Sequence, residues 1–274
     1  MAGIRTSRSR RGRDASVVDD RPDHELQPDG AVDAPHDDNA ISPGLPDLLH
    51  GPDVTTAMLR YEEIPVELAE ALRTIVNRYE LRHGEGLPST ISVTSALGGE
   101  GVTFVSQALS TLIAQETGKY VCWVDCSWLA LDHTVNPMDG RPGLIDILAD
   151  RSNILSAFQT SPDLPQLMSL TAGSVPQHKR NVIVRSPEFD RLLDVLTSEF
   201  DHVIFDIPPV LANANGLTLI RRSDASLLVV RHRATSVNQF QRALEATQPT
   251  PNLGVVLNRY RTSIPRRLRR LLGE

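Results

Sequence analysis

The ten residues Ser95-Ala-Leu-Gly-Gly-Glu-Gly-Val-Thr-Phe104 constrain this chain more than any other stretch. They lie between a short β-rich run, Ile91-Ser-Val-Thr94, and a segment with helical apolar spacing through Val105, Leu109 and Leu112. Strand, glycine-rich turn and helix in that order form the context of a phosphate-binding loop, G-x-x-x-x-G-K-S/T, often with Ala first. Ala96 opens this frame, Gly101 closes it and Thr103 supplies the hydroxyl, but Val102 stands where the lysine belongs. Gly98, Gly99 and Gly101 allow a close backbone approach to a polyphosphate. Successive N–H groups would then point into one concavity, and the helix would add its positive end. Val102 leaves those donors in place and removes the ammonium that follows charge during transfer. Losing one such group costs on the order of 10² to 10³ in rate, so binding survives the change more easily than turnover does. Lys119 and Lys179 are the only lysines among 28 basic residues, and Lys119 lies in the turn at the far end of the helix. An arginine from elsewhere is the remaining source of positive charge. Taken alone, the loop reads equally well as an ordinary strand-to-helix turn.

Two carboxylates follow buried-type strands. Tyr120-Val-Cys-Trp-Val-Asp125 ends in one, and Phe200-Asp-His-Val-Ile-Phe-Asp206 ends in the other before the turn Ile207-Pro-Pro-Val210. In parallel α/β sheets ligands bind outside the carboxyl ends of strands, which would bring Asp125 and Asp206 beside the loop. A hydroxyl and carboxylates at that edge suit a Mg²⁺ ion bound to phosphates. Either Asp alone reads better as a cap for the next element; the pair together with the loop, in order, favours a site.

The remaining segments set bounds. The first 55 residues, basic through Arg5, Arg8, Arg10, Arg11 and Arg13 and then rich in Asp and Pro, carry too little apolar surface to offset chain entropy, and read as a disordered tail. No apolar core follows Arg10-Arg11, which argues against export, and no run of 18 apolar residues spans a membrane. Cys122 and Cys126 read as reduced core residues of a cytosolic protein. Trp123 reads as core, whereas Trp128 is placed to fill part of a nucleotide pocket. Ser263-Ile-Pro-Arg-Arg-Leu-Arg-Arg-Leu-Leu-Gly273 reads as a short basic amphipathic helix. That helix could dock on the domain, touch anionic lipid as a peripheral membrane contact, or bind an acidic partner. The net charge of −6 argues against nucleic acid as a partner.

Periodicity predicts helix 63–82, strand 90–95, helix 102–116, strand 120–125 and a loop-rich insert over 126–186. Helix 187–199, strand 202–206, helix 214–222, strand 226–231, helix 235–247 and strand 253–258 complete the order. This alternation is the pattern of an α/β fold, a mostly parallel sheet with helices on both faces, over residues 56–260, with 261–274 as a separate basic segment.

Residues from about 60 to 260 resemble the bacterial tyrosine kinases of exopolysaccharide and capsule assembly, the BY-kinases, which share a P-loop NTPase-like fold with the Min, Par and Mrp ATPases. Glu70-Ala-Leu-Arg73 is similar to the family's E-x-x-R-x-x-R helix, Gly99-Glu-Gly-Val-Thr103 to its G-E-G-K-S/T, and Val121 to Asp125 to its hhhhDxD. Gly143-Leu-Ile-Asp-Ile-Leu148, Phe200 to Val210, Ser226 to Arg231 and Gly254 to Arg259 continue the likeness in register. The departures fall on polar positions: Val102 for lysine, Phe104 for a hydroxyl residue, Ser127 for the second acid, Asn215 for an Asp and Val76 for the second Arg. The tyrosine cluster near the C-terminus is also missing, with Tyr260 the only tyrosine after Tyr120.

The resemblance implies ATP and Mg²⁺ as cofactors, held through Gly98, Gly99, Glu100, Gly101, Val102 and Thr103, with Thr103, Asp125 and Asp206 toward the metal and Asp125 and Asp206 as catalytic groups. It further implies a membrane polysaccharide co-polymerase as partner, a capacity to form homo-oligomers, and a cytoplasmic place at the inner face of the membrane. The lost polar groups suggest an impaired relative acting as regulator or scaffold. An active tyrosine kinase is the alternative. A Min- or Par-type positioning ATPase ranks below both, because Leu97-Gly98 lacks the early signature lysine of that class.

Overall fold

A computed structural model of the chain describes residues 58–84, 86–129, 143–148, 157–173 and 180–260. The expected tail over 1–55, the amphipathic segment over 261–274 and Lys179 lie outside the described residues.

Seven strands form one sheet: β1 (Thr90–Ser95), β2 (Val121–Asp125), β3 (Phe158–Ser161), β4 (Leu164–Leu170), β5 (His202–Asp206), β6 (Ala225–Arg231) and β7 (Asn252–Asn258). Their order is β3-β4-β2-β5-β1-β6-β7. Every pair is parallel except β3 with β4 at one edge. Among the described residues the longer helices are α1 (Val66–His83), which precedes β1, and α2 (Val102–Thr117), α3 (Pro187–Glu199), α4 (Ala214–Ile220) and α5 (Val237–Thr247) between the strands.

Period-two alternation along the strands sorts the core into two layers. Val121 and Trp123 of β2 join Ile204 of β5 and Leu72 of α1 in the cluster under α1 and α2. Cys122 and Val124 of β2 join Val203 and Phe205 of β5 in the cluster covered by α3, α4 and α5. β2, β5 and β6, buried on both faces, therefore carry apolar runs that read clearly in sequence, whereas the equally buried β1 alternates Ile91 and Val93 with Ser92 and Thr94. Local signals set the helix starts: Ser186 accepts the Phe189 N–H ahead of Pro187, and Ser236 forms a capping box with Gln239.

The expected loop-rich insert over 126–186 is corrected here. It holds the hairpin β3–β4 and short helical turns at Ser127–Leu129, Leu144–Leu148 and Arg180–Ile183. Strand β4, Leu164-Pro-Gln-Leu-Met-Ser-Leu170, carries a proline and no β-branched residue, so its propensity points away from a strand. Pro165 is accommodated because pairing with β2 begins only at Leu167. Burial of Leu167, Met168 and Leu170 then decides the matter.

Cys122 and Cys126 are free and buried. Trp123 is core, donating to Ser106 Oγ at 2.9 Å. Trp128, expected beside the nucleotide, is instead fully buried in the cluster under α3 to α5. Arg73 is engaged within its own chain: its Nε reaches Glu116 at 2.8 Å, Nη1 reaches Glu70 at 2.6 Å, and Nη2 reaches the Tyr61 hydroxyl at 2.7 Å. Among the described residues, no helix is long and apolar enough to cross a membrane.

Candidate functional site

The glycine-rich loop leaves the carboxyl end of β1 in the middle of the sheet. Ser95 Oγ donates to the Leu97 carbonyl at 2.8 Å, turning the chain out of the strand. Gly98 and Gly99 are exposed, and a Cβ built on either meets nothing within 4 Å. Gly101, at φ +96°, begins α2 without any side-chain cap. The conformation favours glycine, and a Cβ there would lie 2.2 Å from Asn258 Nδ2, displacing the amide that bonds the Glu100 carbonyl. The first N–H groups of α2 stay free for an anion, the arrangement of a phosphate cradle.

Glu100, grouped with the cofactor-binding residues in sequence, turns its side chain inward. It is 2% exposed, accepts the Leu97 N–H at 3.0 Å and contacts the Thr235 hydroxyl. Its own carbonyl takes the Asn258 amide at 2.8 Å. Glu100 thus braces the loop from below, as befits a carboxylate that could not face a phosphate. Val102 is half-buried against the cluster under α1 and α2 and presents only methyl groups. Lys119 follows the last turn of α2, 16 residues along, roughly 24 Å from the loop.

Thr103, Asp125 and Asp206 do come together. Asp125 and Asp206 are directly opposite each other at the ends of β2 and β5. The exposed Thr103, in the first turn of α2, hydrogen-bonds the Asp206 carboxylate through its side chain. Asp125 Oδ1 accepts the Ser127 N–H at 2.8 Å, so this Asp caps the next turn as well as facing Asp206. Asp206 caps nothing after its strand. Ile207 N–H goes to the Val93 carbonyl at 2.9 Å and Val210 N–H to the Ser95 carbonyl at 2.9 Å, leaving the Asp206 side chain for the site.

Burial pushes the Asp206 carboxyl up to about 7, the Asp125 charge pushes the same way, and the Thr103 hydrogen bond only partly opposes them. Two carboxylates and a hydroxyl without a cation form a donor set suited to Mg²⁺, which takes one or two protein carboxylates with water and phosphate oxygens completing its shell. Among the described residues no group of three or more His, Cys, Asp and Glu side chains could hold a metal by itself. Any cation here would need a phosphate to complete its coordination. The residues present fit both groups implied by the sequence: an open loop for phosphates, and an acidic edge for the ion.

Sequence reading had missed a cationic corner beside the loop. Arg231, His232, Arg233, Arg259 and Tyr260, from the ends of β6 and β7, line one cleft. The signal was present in Val-Arg231-His-Arg233 and Asn-Arg259-Tyr, but nothing in spacing along the chain places two strand ends side by side.

No protein-family model matches the chain. Tyrosine-protein kinase YwqD of Bacillus subtilis is 30% identical over 193 residues, covering 69% of this chain and 80% of that protein. Tyrosine-protein kinase ptk of Acinetobacter johnsonii is 25% identical over 189 residues, covering 69% of this chain but only 25% of the relative, so the chain spans about a quarter of that protein's length. Among solved structures, the kinase domain of Escherichia coli tyrosine kinase ETK superposes with a TM-score of 0.60 at 23% identity, covering 72% of this chain and 79% of that one, a likeness of fold.

Proposed function

The chain belongs to the bacterial tyrosine-kinase (BY-kinase) family, and from that premise we propose that it is a catalytically impaired member acting as regulator or scaffold of a membrane polysaccharide co-polymerase. The observation that carries this reading is Val102, folded half-buried against apolar neighbours at the one position where the loop requires a cation. The backbone of Gly98 to Val102 and the start of α2 would hold nucleotide phosphates, and Thr103, Asp125 and Asp206 would hold Mg²⁺. When bound, the ion would neutralise charge on the phosphates. The protein's own residues would position the nucleotide and exclude water, with Asp125 the group best placed to accept a substrate hydroxyl proton. The place of action is the cytoplasmic face of the membrane, reached through the partner.

A second reading, an active ATP-dependent tyrosine kinase of the same pathway, is favoured by the retained trio of Thr103, Asp125 and Asp206. Calorimetry of ATP and ADP with Mg²⁺ on the full chain, followed by a kinase assay on the co-polymerase tail, separates the two. Nucleotide binding without phosphate transfer supports the impaired reading. Measurable transfer to tyrosine overturns it in favour of the second. Absence of binding at millimolar nucleotide marks the domain as scaffold alone.

A further inference from the structure

β1, β5 and β6 are each followed by a helix that packs back onto the sheet: α2, α4 and α5 respectively. β7 stands at the edge of the sheet, and one of its faces is left open. Gly254 and Val256 point toward α1: a Cβ on Gly254 would lie 2.9 Å from Ile75 Cγ2, and Val256 belongs to the cluster under α1 and α2. By strand alternation Val255 and Leu257 point to the opposite face, the one covered by α3, α4 and α5. Register sets Leu228 of β6 opposite Val255 and Val230 opposite Leu257. Leu228 is buried and Val230 partly buried in that layer, with Phe240 and Leu244 of α5 packed against it. Val255, by contrast, is 41% exposed and Leu257 49%. The apolar layer continues onto β7, and its cover stops one strand short.

The chain turns at once on leaving β7. Arg259, at φ +53°, donates its N–H to Asn258 Oδ1 at 2.7 Å, and the Tyr260 ring lies 4.9 Å from that of His232. The residues that follow are therefore tethered at the carboxyl end of the strand with the open face. In residues 264–272, Ile264, Leu268, Leu271 and Leu272 recur at spacings of a helical turn, and Arg266, Arg267, Arg269 and Arg270 fill the remaining arc. Ser263 and Gly273 stand at the two ends as cap and stop. As a helix this stretch would be about 13 Å long, against about 7 Å between Val255 and Leu257 along the strand. Residues 261–263 can span up to about 10 Å, enough to carry the chain back over the sheet. A helix this short is marginal alone in water, so it needs an apolar face. Tethering holds it near this one at an effective concentration on the order of millimolar, which a second copy or another protein must exceed.

We propose that the open face of β7 is the docking site of the chain's own residues 264–272. They form the helix that follows β7, laying Ile264, Leu268, Leu271 and Leu272 on Val255 and Leu257 beside α5 and turning the four arginines to solvent. Docking completes the alternation of strand and helix and removes an exposed apolar edge strand from contact with other chains.

Hydrogen exchange of the full chain, read by mass spectrometry over residues 261–274, tests this against a synthetic peptide of the same residues. The amides of 268–272 should exchange at least about tenfold more slowly in the chain than in the peptide, and equally so at protein concentrations about tenfold apart. Val255→Asp/Leu257→Asp should return them to the peptide's rate; both side chains are exposed and an edge strand accepts charge. Leu257→Thr, which keeps a β-branched side chain, serves as the second variant should the double one fail to fold, and should lose part of the protection. Exchange at the peptide's rate in the wild-type chain overturns the proposal, as does protection unchanged in the variants. Protection that grows with concentration overturns it in favour of a second copy. Protection that appears only with vesicles of phosphatidylserine and phosphatidylcholine overturns it in favour of a lipid surface. None of these readings depends on nucleotide, so the result leaves the proposed function to its own test.

Discussion

Asp125 and Asp206 stand opposite each other at the carboxyl ends of neighbouring parallel strands, and no lysine from the glycine loop compensates the pair. Asp206 is 4% exposed. Holding a charge there opposes folding, as expected of a residue placed for a ligand and not for stability.

Asp206→Asn should therefore stabilise the Mg²⁺-free protein in alkaline buffer. Burial pushes the folded carboxyl up to about 7 from the ordinary value of 3.8, so the folded state binds the proton more tightly between those values. Stability from that proton is fully present below pH 4 and is lost as pH rises through 7. At pH 8 the variant should be more stable by up to about 4 kcal/mol, and at pH 4 nearly equal to wild type. Urea unfolding at both pH values measures the difference; the same gap at both would refute the electrostatic account.

Val102→Lys should raise ATP–Mg²⁺ affinity at least about tenfold in calorimetry, because the start of α2 carries no side-chain cap and the loop lacks only the ammonium. The aliphatic stem of lysine can replace the half-buried valine while its head reaches the loop, which keeps the cost to the fold small. Unchanged affinity would mean that the cradle is closed to nucleotide for another reason.

Three glycine substitutions should rank by geometry. Gly98→Ala should change stability by less than about 0.5 kcal/mol, since its new methyl meets open space. Gly99→Ala, at φ +74°, should cost about 1 kcal/mol in backbone strain. Gly101→Ala adds a 2.2 Å clash with Asn258 to a φ of +96° and should cost about 3 kcal/mol. Thermal or urea unfolding gives the order, and a Gly101→Ala as mild as Gly99→Ala would remove Asn258 as the constraint.

Neither thiol should react with Ellman's reagent in the native protein at pH 8. Burial pushes Cys122 well above the usual thiol range, and burial reinforced by the Asp125 and Asp206 charges does the same for Cys126. Unfolding in urea should release both of the chain's two cysteines. Native labelling of Cys126 would show that the floor of the acidic site opens to solvent.

The central strands and the long helices were legible because each carries one strong local signal. Val203, Ile204 and Phe205 form an apolar run closed by Asp206, and Val105, Leu109 and Leu112 repeat at helical spacing. The edge hairpin was not legible. Leu164 to Leu170 has a proline and no β-branched residue, and it becomes a strand only because β2 offers it a partner and a buried face. Trp128 misled for a related reason: its neighbours in sequence belong to the site, while its neighbours in space belong to the core.

The family, the fold class and the missing lysine are properties of residue order, since patterns of period two and 3.6 and a loop frame are local and survive without coordinates. Strand adjacency decided the rest. Burial at the sheet edge lifts the affinity of Asp206 for a proton, and only the register of β2 on β5 sets the Asp125 charge against it to add to that effect. Only the pairing of β6 with β7 brings Arg231 and Arg259, far apart in the chain, to one cleft beside the loop. Charge and proximity act through space, and distance along the chain does not measure them.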